Sequence, residues 1–275
     1  MMCAWHEFLK LLPGWLTKEM ERKQYDSLCE LRLRLDGKPE LNFGSRSEWL
    51  DRIITREDLS FVVNAASRYS PWTAASLEYG YLTAAGGHRI GVCGEVVQKG
   101  DGPAGFRSIT GLCIRISRDF TGIGKEAAKR TGSILILGPP GSGKTTLLRD
   151  ILREIADSET VAVVDERGEI FPELFRRGKR MDVLTGCPKP QGIDMVLRTM
   201  GPITVGVDEI TSESDCDALV RAGWCGVRLI ATAHASSVSD LCQRPIYRHL
   251  SRCGLFDRFL VMGRDKSWHE ERMVI

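Results

Sequence analysis

Apolar runs bounded by glycine dominate the second half of the chain, and alternation dominates parts of the first. From residue 132 onward the pattern reads "SILILG", a helical stretch to about residue 156, "TVAVVDE", a helix near 192–200, "ITVGVDE", a helix around 213–224, then "VRLIATAH". Continuous apolar strands joined by amphipathic helices predict a parallel sheet buried on both faces. Such sheets bind ligands at the carboxyl ends of their strands.

The first half follows other periods. Residues 1–30 predict helix interrupted at Pro13-Gly14, with Trp5, Phe8, Leu9 and Leu12 at helical spacing. That stripe predicts core packing, with docking on a membrane as the alternative. In "CELRLRLDGKPELNF", Leu31, Leu33 and Leu35 alternate with Arg32 and Arg34 before an Asp-Gly turn, the pattern of a half-buried strand entering a hairpin. Thr55 followed by Glu57 and Asp58 predicts a helix start. Short strands separated by glycine pairs follow, up to "ITGLCIRISRD". The expected fold class is therefore α/β: a parallel-sheet domain over 127–275 behind a smaller α+β domain over 1–126, with "FTGIGKEAAKR" as the linker.

Composition narrows the class without choosing a function. The 275 residues, 43% of them hydrophobic, suffice for two cores. Thirty-eight basic against 36 acidic residues leave a net charge of +2, so no global field recruits nucleic acid or anionic lipid. Nine cysteines without a C-x-x-C pair fit neither a disulfide framework nor a zinc ribbon and predict reduced thiols and a cytoplasmic location. The N-terminus lacks a basic region ahead of a long apolar core, and no apolar run reaches membrane-spanning length, so neither a signal peptide nor a direct span is expected.

Candidate chemistry sits at the strand ends. "GPPGSGKTT" places Gly138, Pro139, Pro140, Gly141, Ser142, Gly143, Lys144, Thr145 and Thr146 between a strand and a helix. This G-x-x-x-x-G-K-[ST] loop cradles phosphates with backbone N–H groups, while the lysine reaches the β/γ oxygens and the hydroxyl of Thr145 ligates Mg²⁺. ATP and Mg²⁺ are the expected ligands. "ITVGVDEI" ends in Asp208, a second Mg²⁺ ligand, and Glu209, a base for the attacking water; a solvated acidic turn is the alternative. "VAVVDERGEI" offers Asp165, Glu166 and Glu169, with Glu166 as a second catalytic or subunit-contact acid against the alternative of surface ion pairs. "LIATAH" delivers His234 as a γ-phosphate sensor.

The order of these boxes resembles the Walker A, Asp box, Walker B and His box of the ATPases that drive type II and type IV secretion. "GHRIGVCGEVV", "VVDERGEI", "DVLTGCPKPQGIDMVLRTMGP" and "VDEITSESDCDALVRAGWCGVRLIATAHASS" are similar to the stage III sporulation protein AA family, from about residue 30 to near the C-terminus. The resemblance implies a RecA-like cytoplasmic ATPase, a homo-oligomer expected to be a hexameric ring. It would be peripheral at the mother-cell membrane and partnered with membrane proteins of the sporulation channel complex between mother cell and forespore. Asp208-Glu209 departs from the Gly-Glu common at this box in pilus motors, which implies metal ligation of the ordinary P-loop kind.

A ring motor also needs a cation supplied across the subunit boundary. Arg115 and Arg118, just before the linker, are the candidates, with Arg198 a third; arginines on a solvated strand face are the alternative. "LFRRGKR" over 174–180 predicts a solvated loop. Two rivals share the P-loop. A RecA-like nucleic-acid ATPase would want a basic aromatic channel, which balanced charge and 7% aromatic residues do not suggest, and no nucleic acid is expected as a partner. A nucleotide-gated scaffold would lack a working base. A small-molecule kinase ranks behind both, for want of a lid or acceptor motif.

Overall fold

A computed structural model describes residues 2–23, 27–44, 46–67, 77, 80–100 and 102–273; the "SRYS" end of the expected helix over 55–70 lies mostly outside them. The chain divides into two compact units, Met1–Arg118 with Pro172–Phe175, and Asp119–Phe171 with Arg176–Ile275.

In the first unit β1 (Met2–Cys3) leads into α1 (Trp5–Lys10) and α2 (Gly14–Lys23), broken at Pro13 as the sequence predicts. A six-stranded antiparallel sheet follows, built from β2 (Glu30–Arg34), β3 (Glu40–Asn42), β4 (Ser47–Trp49), β5 (Tyr81–Ala84), β6 (His88–Lys99) and β7 (Gly102–Arg115) in the order β4-β3-β2-β7-β6-β5. Leu31 pairs with Ile114 and Leu33 with Leu112, so the alternation in β2 puts its leucines into one core. Arg32 and Arg34 take the other face and pair with Glu30 and Glu40. α3 (Arg56–Ala66) starts in a capping box between Thr55 and Asp58 and buries Leu59, Val62 and Ala66 in that core. Phe8, Leu9 and Leu12 are buried there as well, which assigns the N-terminal stripe to packing.

His88 is a buried titratable group of this core. Its Nε2 donates to the Ala4 carbonyl at 3.0 Å and its Nδ1 accepts the Ser117 N–H at 3.2 Å, which fixes one neutral tautomer. Burial lowers its pKa, against the smaller upward pulls of the Ala4 bond and Glu7. A base depressed in the fold stabilises it fully above the ordinary histidine value of 6.5, and that stability is lost as the pH falls through the depressed value. Melting followed against pH should show acid destabilisation setting in below 6.5, limited to about 1.4 kcal/mol per pH unit for one proton. His88→Gln should flatten that limb, and an unchanged profile would remove the assignment.

β8 (Arg118–Asp119) spans the division, which falls ahead of the 126/127 boundary expected from sequence. Asp119 pairs with Arg153 at 2.6 Å, both almost wholly buried, and Arg153 also holds Asp150 at 2.7 Å. The expected linker belongs to the second unit, anchored by its two buried residues Gly124 and Ala127. α4 (Lys125–Ala128) buries Ala127, and the Gly124 N–H donates to Asp150 Oδ2 at 2.7 Å. A Cβ on Gly124 would stand 2.5 Å from the Ile151 nitrogen, so only glycine allows this approach.

The second unit holds a seven-stranded sheet in the order β11-β10-β12-β13-β9-β14-β15. Its strands are β9 (Ile134–Leu137), β10 (Val161–Asp165), β11 (Met181–Thr185), β12 (Thr204–Val207), β13 (Arg228–Ala233), β14 (Arg258–Met262) and β15 (Trp268–Glu271). All neighbours are parallel except the β14–β15 hairpin. Each residue of "ILIL" is buried, alternately on two cores: Leu135 and Leu137 on one face, Ile134 and Ile136 on the other. The latter packs under α5 (Lys144–Ile155), the former under α6 (Lys189–Thr199) and α7 (Glu213–Trp224). α8 (Val238–Gln243) and α9 (Arg248–Arg252) complete the unit. "LFRRGKR" is exposed apart from Phe175 and Gly178. No cysteine whose side chain is described is disulfide-bonded. Among the described residues no helix is long and apolar enough to cross a membrane.

Candidate active site

Strand register brings the predicted boxes together. Val207 pairs with Ala231 and Ala233 with Leu137, so Asp208, His234 and Gly138 all leave the sheet at one edge. Between β9 and α5 the loop turns through left-handed or open glycine conformations, with φ of 155° at Gly138, 74° at Gly141 and 99° at Gly143. A residue with a Cβ is strained at all three.

Lys144 is 7% exposed. Its ammonium donates to the Gly138 carbonyl at 2.9 Å, the Pro139 carbonyl at 3.0 Å and His234 Nδ1 at 3.1 Å. Burial lowers its pKa while Asp208 and Glu209 pull it back up. Because Nδ1 accepts, His234 carries its proton on Nε2 and donates it to Glu209 Oε1 at 2.8 Å. Thr145 donates to Asp208 Oδ2 at 2.7 Å. Thr232 donates to the other oxygen of Asp208, which also accepts the Glu209 N–H at 3.0 Å. Glu209 has a φ of 44°, a conformation that costs energy outside glycine, and its N–H is held by Asp208 and by Thr232 at 2.7 Å. Its free oxygen lies 3.6 Å from Arg167. Thr146 is half-buried on the first turn of α5.

The fit to a magnesium nucleotide is testable on these residues. The Ser142 hydroxyl is buried with no hydrogen-bond partner, inside a loop whose glycines take open or left-handed backbone conformations. Among the described residues no group of three or more His, Cys, Asp or Glu side chains forms a metal cage. Mg²⁺ at a nucleotide site takes one or two protein oxygens and completes its shell with phosphates and water. Thr145 and Asp208 supply such a pair, so the donor set fits.

The second acidic strand end divides by role. Asp165 is buried and accepts N–H bonds from Glu169, Ile170 and Phe171, each at 2.9 Å, so it closes the turn that follows β10. Arg149 on α5 clamps the same turn through the carbonyls of Glu169 and Ile170. Burial pushes its pKa down to about 10. Glu166 pairs with Lys189 at 2.5 Å and lines a small cleft with Arg167, Asp208 and Glu209.

Arg115 and Arg118 belong to the first unit. Arg115 is exposed, 3.7 Å from Glu30, and Arg118 donates to the Leu28 carbonyl at 2.8 Å. Arg198 is exposed on α6. Sequence reading missed Arg149, Arg167, Lys189 and the role of Thr232. The Thr232 signal was its place at the end of β13, two residues before His234, which leaves the same strand.

A stage III sporulation protein AA from Bacillus subtilis (strain 168) is 36% identical over 95% of this chain and 92% of its own. Among solved structures, the Legionella pneumophila ATPase DotB aligns over 95% of this chain and 80% of its own, with a TM-score of 0.60 at 16% identity. The pilus retraction motor PilT with bound ADP covers 89% of this chain and 76% of its own, with a TM-score of 0.64 at 15% identity. The fold is thus that of the RecA-like secretion ATPases. The model of the family described as "Sporulation stage III, protein AA" matches residues 5–273, and the chain belongs to that family.

Proposed function

We propose that the protein is an ATP-hydrolysing, ring-forming motor at the sporulation channel complex. The observation that carries the enzymatic part is Glu209. It is held in a strained conformation at the edge where Lys144 and the Thr145–Asp208 pair sit, with one oxygen on His234. Strain of this kind, fixed by two hydrogen bonds to one N–H, serves placement of a side chain.

The roles follow from the contacts. The loop glycines and Lys144 bind the phosphates, Lys144 exchanging its carbonyl partners for phosphate oxygens. Glu209 accepts hydrogen bonding from the attacking water, and His234 orients it and links it to Lys144. Mg²⁺, held by Thr145 and Asp208, would neutralise charge on the phosphate oxygens when bound. Glu166 and Lys189 form the neighbouring wall. The sporulation role rests on kinship with the Bacillus subtilis relative, and the membrane partners and the ring on the resemblance of the box order to the secretion ATPases.

The assembly part is tested by phosphate release from Mg·ATP across protein concentration. If a neighbour supplies Arg115 or Arg118, specific activity rises with concentration, because a lone subunit lacks the extra cation. Mixing Arg115→Ala subunits, or the Arg115→Ala/Arg118→Ala pair, with Lys144→Ala subunits should restore part of the activity that neither shows alone. Arg115→Ala is the cleaner variant, since Arg118 also holds the Leu28 carbonyl. A flat concentration profile without rescue would exclude the ring motor.

A further inference from the structure

The β14–β15 hairpin turns through Gly263–Ser267 under tight control. The Gly263 N–H donates to the Ser267 carbonyl at 3.0 Å and the Lys266 N–H to the Gly263 carbonyl at 3.3 Å. Asp265 Oδ1 accepts the Ser267 N–H at 3.1 Å and its hydroxyl at 2.8 Å. In this setting Lys266 takes a φ of 71°. The left-handed position of a short hairpin ordinarily holds glycine, because any side chain is strained there. A turn that needed geometry alone would have no use for lysine.

The side chain has a destination. β14 runs parallel to β9 with Val261 opposite Leu137, so the hairpin emerges beside the start of the phosphate loop. The Lys266 ammonium donates to the Gly141 carbonyl. A Cβ placed on Gly143 would lie 3.7 Å from Lys266 Cδ and 3.5 Å from Met262 Cε, so the lysine stem lies along the outside of the loop. Among the described residues no carboxylate pairs with Lys266. An exposed ammonium on a lone carbonyl has a partner without net charge, and an ionised phosphate oxygen would add the attraction of opposite charges.

We propose that Lys266 is a nucleotide-binding residue: a second ammonium, delivered by the C-terminal hairpin, that leaves the Gly141 carbonyl for the phosphate chain of the bound nucleotide. The inference rests on the nucleotide reading above. It assigns a binding role to a turn that lies far from the loop in sequence.

Three variants separate charge from turn geometry. Lys266→Gly suits the backbone and removes the ammonium, Lys266→Met keeps the length without charge, and Lys266→Arg keeps the charge. Their melting temperatures without nucleotide, and Kd for ATP and ADP at several salt concentrations, are the readouts. Lys266→Gly should melt at or above wild type yet bind ATP and ADP about tenfold more weakly, with a shallower salt dependence. Lys266→Met should share the weakening, and Lys266→Arg should stay within about threefold of wild type. Wild-type affinities in Lys266→Gly and Lys266→Met would overturn the proposal and leave Lys266 a turn residue while the loop still binds nucleotide. Failure of the unaltered protein to bind either nucleotide would overturn this proposal together with the reading beneath it.

Discussion

Lys144→Ala should abolish nucleotide binding, raising Kd for both ATP and ADP by at least about 100-fold, and phosphate release should vanish with it. The size of the effect follows from burial. The ammonium is nearly enclosed by the loop, and its protein partners are two carbonyls and a neutral ring nitrogen, none of them charged. A phosphate chain gives that cation the ionised partner it lacks. Alanine removes the charge and also frees His234 Nδ1, so the ring loses the contact that fixes its tautomer. Titration with a fluorescent nucleotide measures both ligands. Retained ADP binding in the variant would mean that the loop over Gly138–Thr145 is not the phosphate site.

Glu209→Gln should separate chemistry from binding. The glutamine carbonyl still accepts the His234 Nε2–H, and the main-chain bonds to Asp208 and Thr232 do not involve the side chain. What disappears is the charge, the contact with Arg167 and the ability to take up a proton from water. ATP affinity should stay within about threefold, while phosphate release falls by about 10²–10³-fold. Turnover at the wild-type rate in Glu209→Gln would remove the glutamate from the mechanism.

The two predictions draw on a site whose contiguous and strand-end parts are legible in the sequence. Gly138–Thr145 is one unbroken stretch, and its strand-to-helix context comes from the apolar run before it. Asp208-Glu209 and His234 are far apart in the chain, but parallel strands must end at a common edge, so reading the strands correctly places the residues. At "DERGE" a strand end alone says less: Asp165 ends a strand at that edge, yet folds back to cap its own turn. "FTGIGKEAAKR" shows a second limit. Its glycines read as a linker, whereas Gly124 is there to let the chain touch α5.

Contacts with no local signature were hidden altogether. β11, with only partial burial, and β15 lack the continuous apolar run that marked the inner strands. The Lys266–Gly141 contact depends on β14 pairing beside β9 and turning there into β15, which no periodicity announces. Arg149 is a hydrophilic residue in an amphipathic helix pattern, and only the packing of the "DERGE" turn against α5 explains why it is buried.

The central claim, that this edge of the sheet hydrolyses ATP, is tested most directly by phosphate release from γ-labelled ATP at the highest attainable protein concentration, with Mg²⁺ and with the metal chelated. The account predicts saturable release with Mg²⁺ and none after chelation. ATP bound by the wild-type protein but released intact, with no phosphate formed in either condition, would contradict it.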